Sequence, residues 1–365
     1  MPDFTRVIRE AYEEILERQP DPGGLASFNG FMNSGMSEDA MREVLLRSPE
    51  YAQKNPSPPG PDSMALRVEG NRFVDPRGQV VSLLGAIVCC ADAKQNGWPL
   101  VSLDALGLFA SHRLSYTHCR LGPFTVAGED DPLYVGYVSL PDGRVDLDQF
   151  FPGFWSRVRA IADRARQLRI YVEFDLVDRW VRQHGEEDLP AIDPWSAPNN
   201  VQGVAAGGLA IFESAPRPIH ERWIRKAVAE LGEFENVLFQ VGNEGFKSFS
   251  AAWELGVYDM VKDELRRRGF SDRLVATNTQ DPDLEGRLDY ITRHETSAQD
   301  AGTKPIVVNE YPSLPPDEVL RQVRRARRFG TMFMYWRGDH DQSQWESTLG
   351  QLETVVGGQI AGKRQ

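Results

Sequence analysis

The sequence predicts an α/β protein in which a (β/α)₈ barrel follows a small all-helical domain. From Val80 onward, apolar strand-like runs alternate with amphipathic helical stretches, which is the pattern of a parallel sheet built from βαβ units. Eight such units in about 285 residues match the usual size of a (β/α)₈ barrel. The alternative is a doubly wound open sheet, but that fold calls for a glycine-rich phosphate turn after the first strand. Residues 85–91 do not form one.

A compact helical domain is predicted at residues 1–54. Apolar side chains recur at helical spacing over residues 4–16, and the proline- and glycine-rich run 20–24 ends this helix. Ser37, followed by two acidic residues, begins another helix that runs through Leu46. This domain carries no cluster of catalytic side chains.

Three short runs in this domain resemble a known module. Residues 12–25, 33–37 and 48–51 are similar to a short domain of unknown function that is repeated in many bacterial surface and secreted proteins. The resemblance covers about fifty residues. It implies an accessory role for residues 4–54, such as attachment to a surface or matrix, and an extracellular or cell-surface setting.

The boundary between the domains is predicted at residues 55–63, where proline and glycine remove any periodicity and favour an extended linker. The barrel domain then spans residues 64–365. Its opening segment, 66–81, reads as two short strands around turn signals. We expect this hairpin to cover the bottom of the barrel.

Eight barrel strands follow in order, and helical patterns lie between most of them. The predicted strands are Val80–Cys89, Arg113–Arg120, Arg169–Leu176, Asn236–Glu244, Arg273–Asn278, Leu288–Glu295, Pro305–Tyr311 and Gly330–Arg337. The predicted helices are Phe154–Leu168, His220–Leu231, Phe249–Arg268 and Pro316–Arg328. The fifth and sixth strands are joined by a short link with little room for a helix.

Composition excludes several classes of protein. With 41% hydrophobic and 26% charged residues, the chain has the balance of a soluble globular protein. A net charge of −12 argues against nucleic-acid partners, because phosphate binding needs clustered cations. The arginine-rich run 321–328 has helical spacing and reads as a solvated helix face. No run of 18 apolar residues occurs, so no membrane span is predicted.

The start of the chain has no basic segment followed by an apolar stretch, so no signal peptide is predicted, and localisation stays open. Three cysteines, Cys89, Cys90 and Cys119, fit neither a disulfide scaffold nor a zinc site. Six histidines without a His-x-His pair, and a polar run at 339–341 that matches no metal motif, predict no metal and no cofactor.

Two glutamates end two of the predicted strands. Glu244 closes the fourth strand and Glu310 closes the seventh. A carboxylate at the end of an apolar strand is costly to bury without a partner or a purpose. Strands four and seven lie across a small barrel from each other, so the two side chains could face one another over its mouth. Glycoside hydrolysis requires such a pair.

These glutamates and their neighbours resemble the signature of glycoside hydrolase clan A, and especially its cellulase-like family 5. The resemblance covers residues 66–357. It implies that Glu244 is the acid/base and Glu310 the nucleophile of a retaining reaction on a carbohydrate. It also implies that Asn243 hydrogen-bonds the sugar 2-hydroxyl and that Arg120 is the clan's arginine on strand two.

The same roles follow from charge if Arg120 lies beside Glu310. The guanidinium would hold Glu310 ionised, and that anion would raise the pKa of Glu244, which could then protonate the leaving oxygen. Once the sugar esterifies Glu310, its charge disappears and the pKa of Glu244 falls. Glu244 can then deprotonate the incoming water.

Aromatic and histidine side chains complete the predicted substrate site. His294 ends strand six where the clan often shows His-x-Tyr, but Thr296 replaces that tyrosine, and Tyr311 is too close in sequence to Glu310 to be an obvious substitute. Trp336 on strand eight resembles the clan's tryptophan beneath the sugar. Trp180 lies in the long loop 177–218, which we expect to shape substrate subsites.

The other tryptophans divide into two groups. Trp98 and Trp195 lie in predicted loops and could extend the aromatic platform. The remainder lie on helical stretches, where core packing is the better interpretation; these are Trp155, Trp223, Trp253 and Trp345.

Three alternatives stay open. The first is a non-catalytic carbohydrate-binding or attachment protein on a barrel scaffold, which the accessory domain and the missing tyrosine favour. The second is a metal-dependent hydrolase or lyase, which would place several histidine and aspartate ligands on strand ends. The third is an inverting hydrolase, whose carboxyl groups would stand about 6.5–9.5 Å apart instead of about 5–5.5 Å.

Overall fold

A computed structural model describes the backbone of most of the predicted elements. The described residues are 2–46, 48–54, 63–88, 100–122, 125–126, 136–177, 191–192, 194–204, 218–243, 249–279, 281–294, 303–310 and 332–337. Only the backbone is described at 49, 52–53, 86–88, 125–126, 191–192, 294, 309–310 and 332–337. The chain divides into two compact units, one of residues 1–61 with 263–271 and one of residues 62–262 with 272–365.

The first unit contains four helices at the start of the chain. They are α1 (Thr5–Leu16), α2 (Pro22–Asn33), α3 (Glu38–Leu46) and α4 (Pro49–Lys54). Their apolar faces meet in one cluster, whose fully buried members include Ile8, Tyr12, Leu16, Met41 and Leu45. Helical spacing in the sequence therefore corresponds to a packed core.

The proline- and glycine-rich run 20–24 ends one helix and also begins the next. Asp21 is the N-cap of α2, where its carboxylate accepts the backbone N–H of Gly24 at 2.9 Å. Pro22 occupies the first helical position, where its missing N–H costs nothing. The end of the first helix was predicted from the sequence, but the start of the second helix at Pro22 was not.

The second unit opens with a three-stranded antiparallel sheet. Its strands are β1 (Arg67–Glu69), β2 (Arg72–Val74) and β3 (Val80–Val81). Together with Met64 just before it, this hairpin buries Leu66 and Phe73 against side chains from the first residues of the larger sheet's strands. The hairpin thus covers the N-terminal end of that sheet, as predicted.

Eight parallel strands form the main sheet; seven lie inside a predicted strand, and the other, β9, ends one residue beyond its predicted end. They are β4 (Leu84–Val88), β5 (Tyr116–Arg120), β9 (Tyr171–Val177), β11 (Val237–Gly242), β12 (Val275–Ala276), β13 (Ile291–His294), β14 (Ile306–Glu310) and β15 (Met332–Arg337). Their order is β12-β11-β9-β5-β4-β15-β14-β13. The first strand, β4, therefore pairs with the last, β15. A doubly wound sheet, whose first strand lies next to a middle strand, is excluded by this order.

The two ends of this order, β12 and β13, share no recorded strand register in the described part of the chain. Hydrogen bonds nevertheless join them: the N–H of Asp289, just before β13, donates to the carbonyl of Val275 at 3.1 Å. The N–H of Val275 donates back to Asp289 Oδ2 at 2.9 Å. A carboxylate therefore takes the place of a main-chain acceptor. We call this contact the seam.

Further helices and short strands connect the sheet strands. The helices are α5 (Leu103–Ser111), α6 (Pro152–Gln167), α7 (Pro218–Leu231), α8 (Ala251–Arg267) and α9 (Pro282–Glu285). Outside the main sheet lie the antiparallel pairs β7 (Tyr137–Ser139) with β8 (Val145–Phe150), and β6 (Thr125–Val126) with β10 (Ala191–Ile192). The link between strands five and six holds only the single turn α9. Within the described residues, no helix is long and apolar enough to cross a bilayer.

The tryptophans predicted to pack on helices do so. Trp155, Trp223 and Trp253 are each at most 2% exposed, and the first two lie 5.1 Å apart in one aromatic cluster with Phe154. Trp345 lies outside the described residues.

The inward face of the sheet has two levels. The lower level, here called the floor, is an apolar cluster of Met64, Leu66, Phe73, Leu83, Tyr116, Tyr171, Leu238, Leu274, Ala276, Tyr290 and Val307. Side chains two and four residues further along a strand point the same way. The next level therefore consists of His118, Arg120, Glu173, Asp175 and Gln240, here called the polar belt.

Candidate active site

The predicted site residues lie at the C-terminal ends of parallel strands, which share one edge of the sheet. Arg120 is the last residue of β5, His294 of β13 and Glu310 of β14, and Asn243 directly follows β11. His294 and Glu310 are register partners on neighbouring strands, after an irregularity at 293/294. The fold therefore brings together four positions that are far apart in sequence.

Several predicted residues fall wholly or partly outside the description. Glu244, Tyr311 and Trp180 lie outside the described residues. The backbone of Trp336 belongs to β15, but its side chain, like those of His294 and Glu310, is not described. Trp98 and residues 339–341 also lie outside.

Arg120 and Asn243 are both buried at this edge. Arg120 is 2% exposed and Asn243 is fully buried. The N–H of Asn243 donates to the carbonyl of Val177 at the end of β9, at 3.0 Å. Strand pairing therefore continues up to the residue that precedes Glu244.

The segment 244–248, which includes Glu244, is flanked by residues that contact one another. Phe249, at its far end, packs on Gly242 so closely that a Cβ added to this glycine would lie 2.5 Å from the ring. The same ring stacks on Trp253 of α8, with centroids 4.3 Å apart. The closeness requires glycine at 242. Residues 244–248 thus span two points that touch.

Glu254, which follows Trp253 in α8, has a buried carboxyl group that contacts Thr277, the residue directly after β12. Glu254 is 1% exposed and accepts a hydrogen bond from the hydroxyl of Thr277. Burial raises the pKa of Glu254 to about 7, although hydrogen bonds from Thr277 and Thr279 lower it. The sequence analysis did not single out this residue, since a glutamate on an amphipathic helix normally indicates the solvated face.

The polar belt reaches up to the strand ends and brings an imidazole close to two carboxyl groups. His118 Nε2 is 2.8 Å from Asp175 Oδ2 and 3.9 Å from Glu173 Oε1, and all three side chains are fully buried. Arg120 is the register partner of Asp175 on the adjoining strand. The three titratable groups could hold a metal ion, because their nearest donor atoms all lie within 4.8 Å of one another.

Two neighbouring side chains fix the carboxylates of the belt. The hydroxyl of Tyr290 donates to Glu173 Oε2 at 2.6 Å, and Gln240 Nε2 donates to Asp175 Oδ1. Burial, and then the charge of Glu173, raise the pKa of Tyr290 well above its ordinary value, and Tyr116 behaves in the same way.

Apart from Arg120, the residues of the belt were not predicted from the sequence. Strand ends and histidine pairs pointed to the predicted site residues, whereas His118, Glu173, Asp175 and Gln240 alternate with apolar residues inside three strands. The available signal was polar residues at i and i+2, namely His118 with Arg120 and Glu173 with Asp175. In an apolar strand this spacing places both side chains on one face.

One possibility raised by the sequence is wrong. Trp195 is 2% exposed and its indole N–H donates to the hydroxyl of Tyr137 at 3.1 Å, so it packs inside the loop region and cannot serve as a sugar platform. Cys119 directly precedes Arg120 in β5, so its side chain points to the opposite face of the sheet, where it is fully buried. Burial raises the pKa of its thiol to about 12.

Solved structures with a similar fold include several glycoside hydrolases. An endo-1,4-beta-mannanase from Rhizomucor miehei matches with a TM-score of 0.54 at 11% identity, covering 80% of this chain and 99% of that one. A glycoside hydrolase family 5 protein from Bacteroides vulgatus matches with a TM-score of 0.51 at 10% identity, covering 80% and 70%. A beta-1,4-D-mannanase from Cryptopygus antarcticus matches with a TM-score of 0.51 at 14% identity, covering 79% and 94%.

No known family model and no curated protein sequence matches the chain. At these identities the structural likeness shows the fold alone. The chain is a mixed α/β protein whose parallel sheet resembles that of family 5 glycoside hydrolases. The predicted resemblance to clan A is confirmed at this level.

Proposed function

We propose that the chain is a retaining glycoside hydrolase in which Glu310 is the nucleophile and Glu244 the acid/base. The observation that carries this proposal is the shared edge of the sheet, where Arg120, Asn243, His294 and Glu310 end or follow four different strands. In (β/α)₈ enzymes, catalytic residues come from the C-terminal ends of several strands. The fold-level likeness to family 5 enzymes supports the same conclusion by analogy.

The reaction proceeds in two displacements. Glu310 attacks the anomeric carbon while Glu244 donates a proton to the departing glycosidic oxygen, and a covalent glycosyl ester forms. Glu244 then removes a proton from water, which attacks the same carbon and releases Glu310. The two inversions restore the original configuration. This mechanism requires the carboxyl groups to stand about 5–5.5 Å apart.

Arg120 and Asn243 support the two carboxyl groups. In the sheet, β4 and β15 lie between β5 and β14, so the ends of β5 and β14 are about 14 Å apart along the sheet. A closed barrel brings them nearer across its mouth, and an extended arginine then reaches Glu310. We propose that the seam completes such a barrel. Asn243 binds the sugar hydroxyl next to the reacting carbon.

The substrate we propose is a β-linked oligosaccharide or polysaccharide. The structural neighbours include two beta-mannanases, so β-1,4-mannan is the first candidate. Trp336, Trp180, Tyr311 and His294 would line its subsites. Residues 4–54 would act as an accessory module that attaches the enzyme to a surface or matrix.

A panel of activated aryl β-glycosides and β-1,4-mannan tests this proposal. We expect wild-type protein to cleave at least one substrate with retention of configuration, and Glu310→Gln to lower kcat by about 10³-fold or more. Glu233→Gln, the same change at an exposed position preceding β11 at the opposite edge, is the matched control and should leave kcat unchanged.

The same panel can contradict each part of the proposal. Equal cleavage by wild type and Glu310→Gln would exclude Glu310 as the nucleophile. A product of inverted configuration would establish the inverting alternative. Binding of mannan by the wild type without any cleavage would favour the non-catalytic, carbohydrate-binding alternative.

A further inference from the structure

Three polar side chains of the belt form a set of possible metal ligands that the proposed hydrolysis does not use. His118 offers an imidazole nitrogen, and Glu173 and Asp175 offer one carboxylate oxygen each. The nitrogen lies 2.8 Å and 3.9 Å from the two oxygens. Two donors that share an ion at about 2.1 Å can be at most about 4.2 Å apart, so both measured separations are compatible with one shared cation.

The burial of this set raises a charge problem. The side chains of His118, Glu173 and Asp175 have no solvent exposure. Two carboxylates without water require compensating positive charge, since an uncompensated buried ion costs several kcal/mol. Arg120 is the register partner of Asp175 on the next strand and carries positive charge. A divalent cation between the three donors would offset both carboxylates.

The second oxygen of each carboxylate is already engaged. Tyr290 donates to Glu173 Oε2, and Gln240 donates to Asp175 Oδ1. The remaining oxygens, Oε1 and Oδ2, are the ones that face the imidazole. Outer hydrogen bonds that orient ligands toward a common point are a regular feature of metal sites.

We propose that His118, Glu173 and Asp175 bind a divalent first-row metal ion such as Zn²⁺ inside the sheet. One nitrogen and two oxygen donors suit Zn²⁺ better than Mg²⁺ or Ca²⁺, which prefer oxygen alone. The ion would tie β5 to β9 directly below Arg120. Its role is structural, so the site stands whether or not the chain hydrolyses glycosides.

Metal content of the full-length protein tests the site. After treatment with a chelator and reloading with Zn²⁺, we expect about one equivalent by mass spectrometry and a melting temperature several degrees above that of the metal-free protein. Co²⁺ in place of Zn²⁺ should give visible absorption bands from nitrogen and oxygen ligands. His118→Gln and Asp175→Asn should weaken Zn²⁺ binding by about 100-fold or more.

Two further variants keep the result unambiguous. Tyr290→Phe leaves all three ligands in place and should weaken Zn²⁺ binding about 10-fold to 100-fold. His112→Gln alters a partly exposed histidine at the end of α5 and should leave binding unchanged. Glu310→Gln should abolish hydrolysis yet keep the ion, which separates this proposal from the proposed function.

The proposal is wrong if the reloaded wild-type protein holds less than about 0.1 equivalent of Zn²⁺, Mn²⁺ or Co²⁺. It is also wrong if His112→Gln removes as much metal as His118→Gln, because surface binding would then account for the signal.

Discussion

The floor and the polar belt occupy consecutive levels of the same strands, yet they differ in character. The floor buries aromatic and aliphatic groups against the opening hairpin. The belt buries two carboxyl groups, an imidazole and a guanidinium, and each carboxyl group accepts a hydrogen bond, from Gln240 or Tyr290. Apolar burial stabilises without geometric conditions, whereas buried ions stabilise only when every partner is in place. The floor therefore supports folding, and the belt extends up to Arg120 at the strand ends.

The largest effect is expected from a change in the floor. Phe73 is fully buried and packs edge-to-face on Tyr290, with centroids 5.5 Å apart. Phe73→Ala should lower the free energy of unfolding by about 4 kcal/mol through lost burial and a cavity. Denaturant titration followed by tryptophan fluorescence measures this, because all eight tryptophans lie beyond residue 61, in the second unit.

Leu103→Ala is the control for that experiment, since Leu103 is 46% exposed at the start of α5. It should change the free energy of unfolding by less than about 0.5 kcal/mol. If Phe73→Ala were as mild as this control, the floor would not be the stabilising level.

The next effect concerns the buried carboxyl group of Glu254, which accepts hydrogen bonds from threonine hydroxyls. The folded-state pKa of Glu254, about 7, exceeds its ordinary value of 4.5, so the folded protein binds an extra proton between these values. Stability therefore falls as pH rises from about 5 to 8, by about 3 kcal/mol from this group. Glu254→Gln should remove that part of the pH dependence, measured as melting temperature against pH.

Asp283→Asn, an exposed change in the first turn of α9, is the comparison for Glu254→Gln. It should leave the profile between pH 5 and 8 as in the wild type. A Glu254→Gln profile as steep as that of the wild type would show that other groups carry the pH dependence.

The smallest effect is expected from removing a single hydroxyl group that connects the floor to the belt. Tyr290 packs its ring in the floor and donates its hydroxyl to Glu173 in the belt. Tyr290→Phe keeps the ring but leaves one carboxylate oxygen without its donor, and should cost about 2 kcal/mol in the free energy of unfolding. Tyr171→Phe, a change in the same floor without a recorded carboxylate partner, should cost less than about 0.5 kcal/mol. Equal losses for both would mean that the hydroxyl of Tyr290 adds nothing.

Sequence reasoning predicted the strands well and the interior poorly, for a physical reason. Runs such as 237–242 are buried on both faces, so their apolar character alone identifies them. Three polar residues within β5 and β9, His118, Glu173 and Asp175, were not interpreted, because a side chain in a strand can face the interior or the surrounding helices. Only the register of neighbouring strands shows that His118 lies opposite Glu173.

For the site as well, strand positions could be predicted from the sequence but side-chain surroundings could not. The positions of Arg120 and Glu310 at strand ends follow from where apolar runs stop, which the sequence displays directly. The burial of Trp195 could not be predicted, because it depends on contacts with Tyr137 and His220, at distant positions in the chain. Local sequence patterns thus predict the helices and strands. The surroundings of a side chain depend on contacts between residues that are distant in the sequence.

The seam has a consequence for how the second unit could be taken apart. Asp289 joins β12 to the start of β13 through its side chain, and Lys262 Nζ holds the same carboxylate oxygen at 2.8 Å. Strands one to five precede this point and strands six to eight follow it. A chain cut near residue 280 would yield two fragments that meet at two places, the β4–β15 pair and Asp289, so separately produced halves would have two edges at which to reassemble.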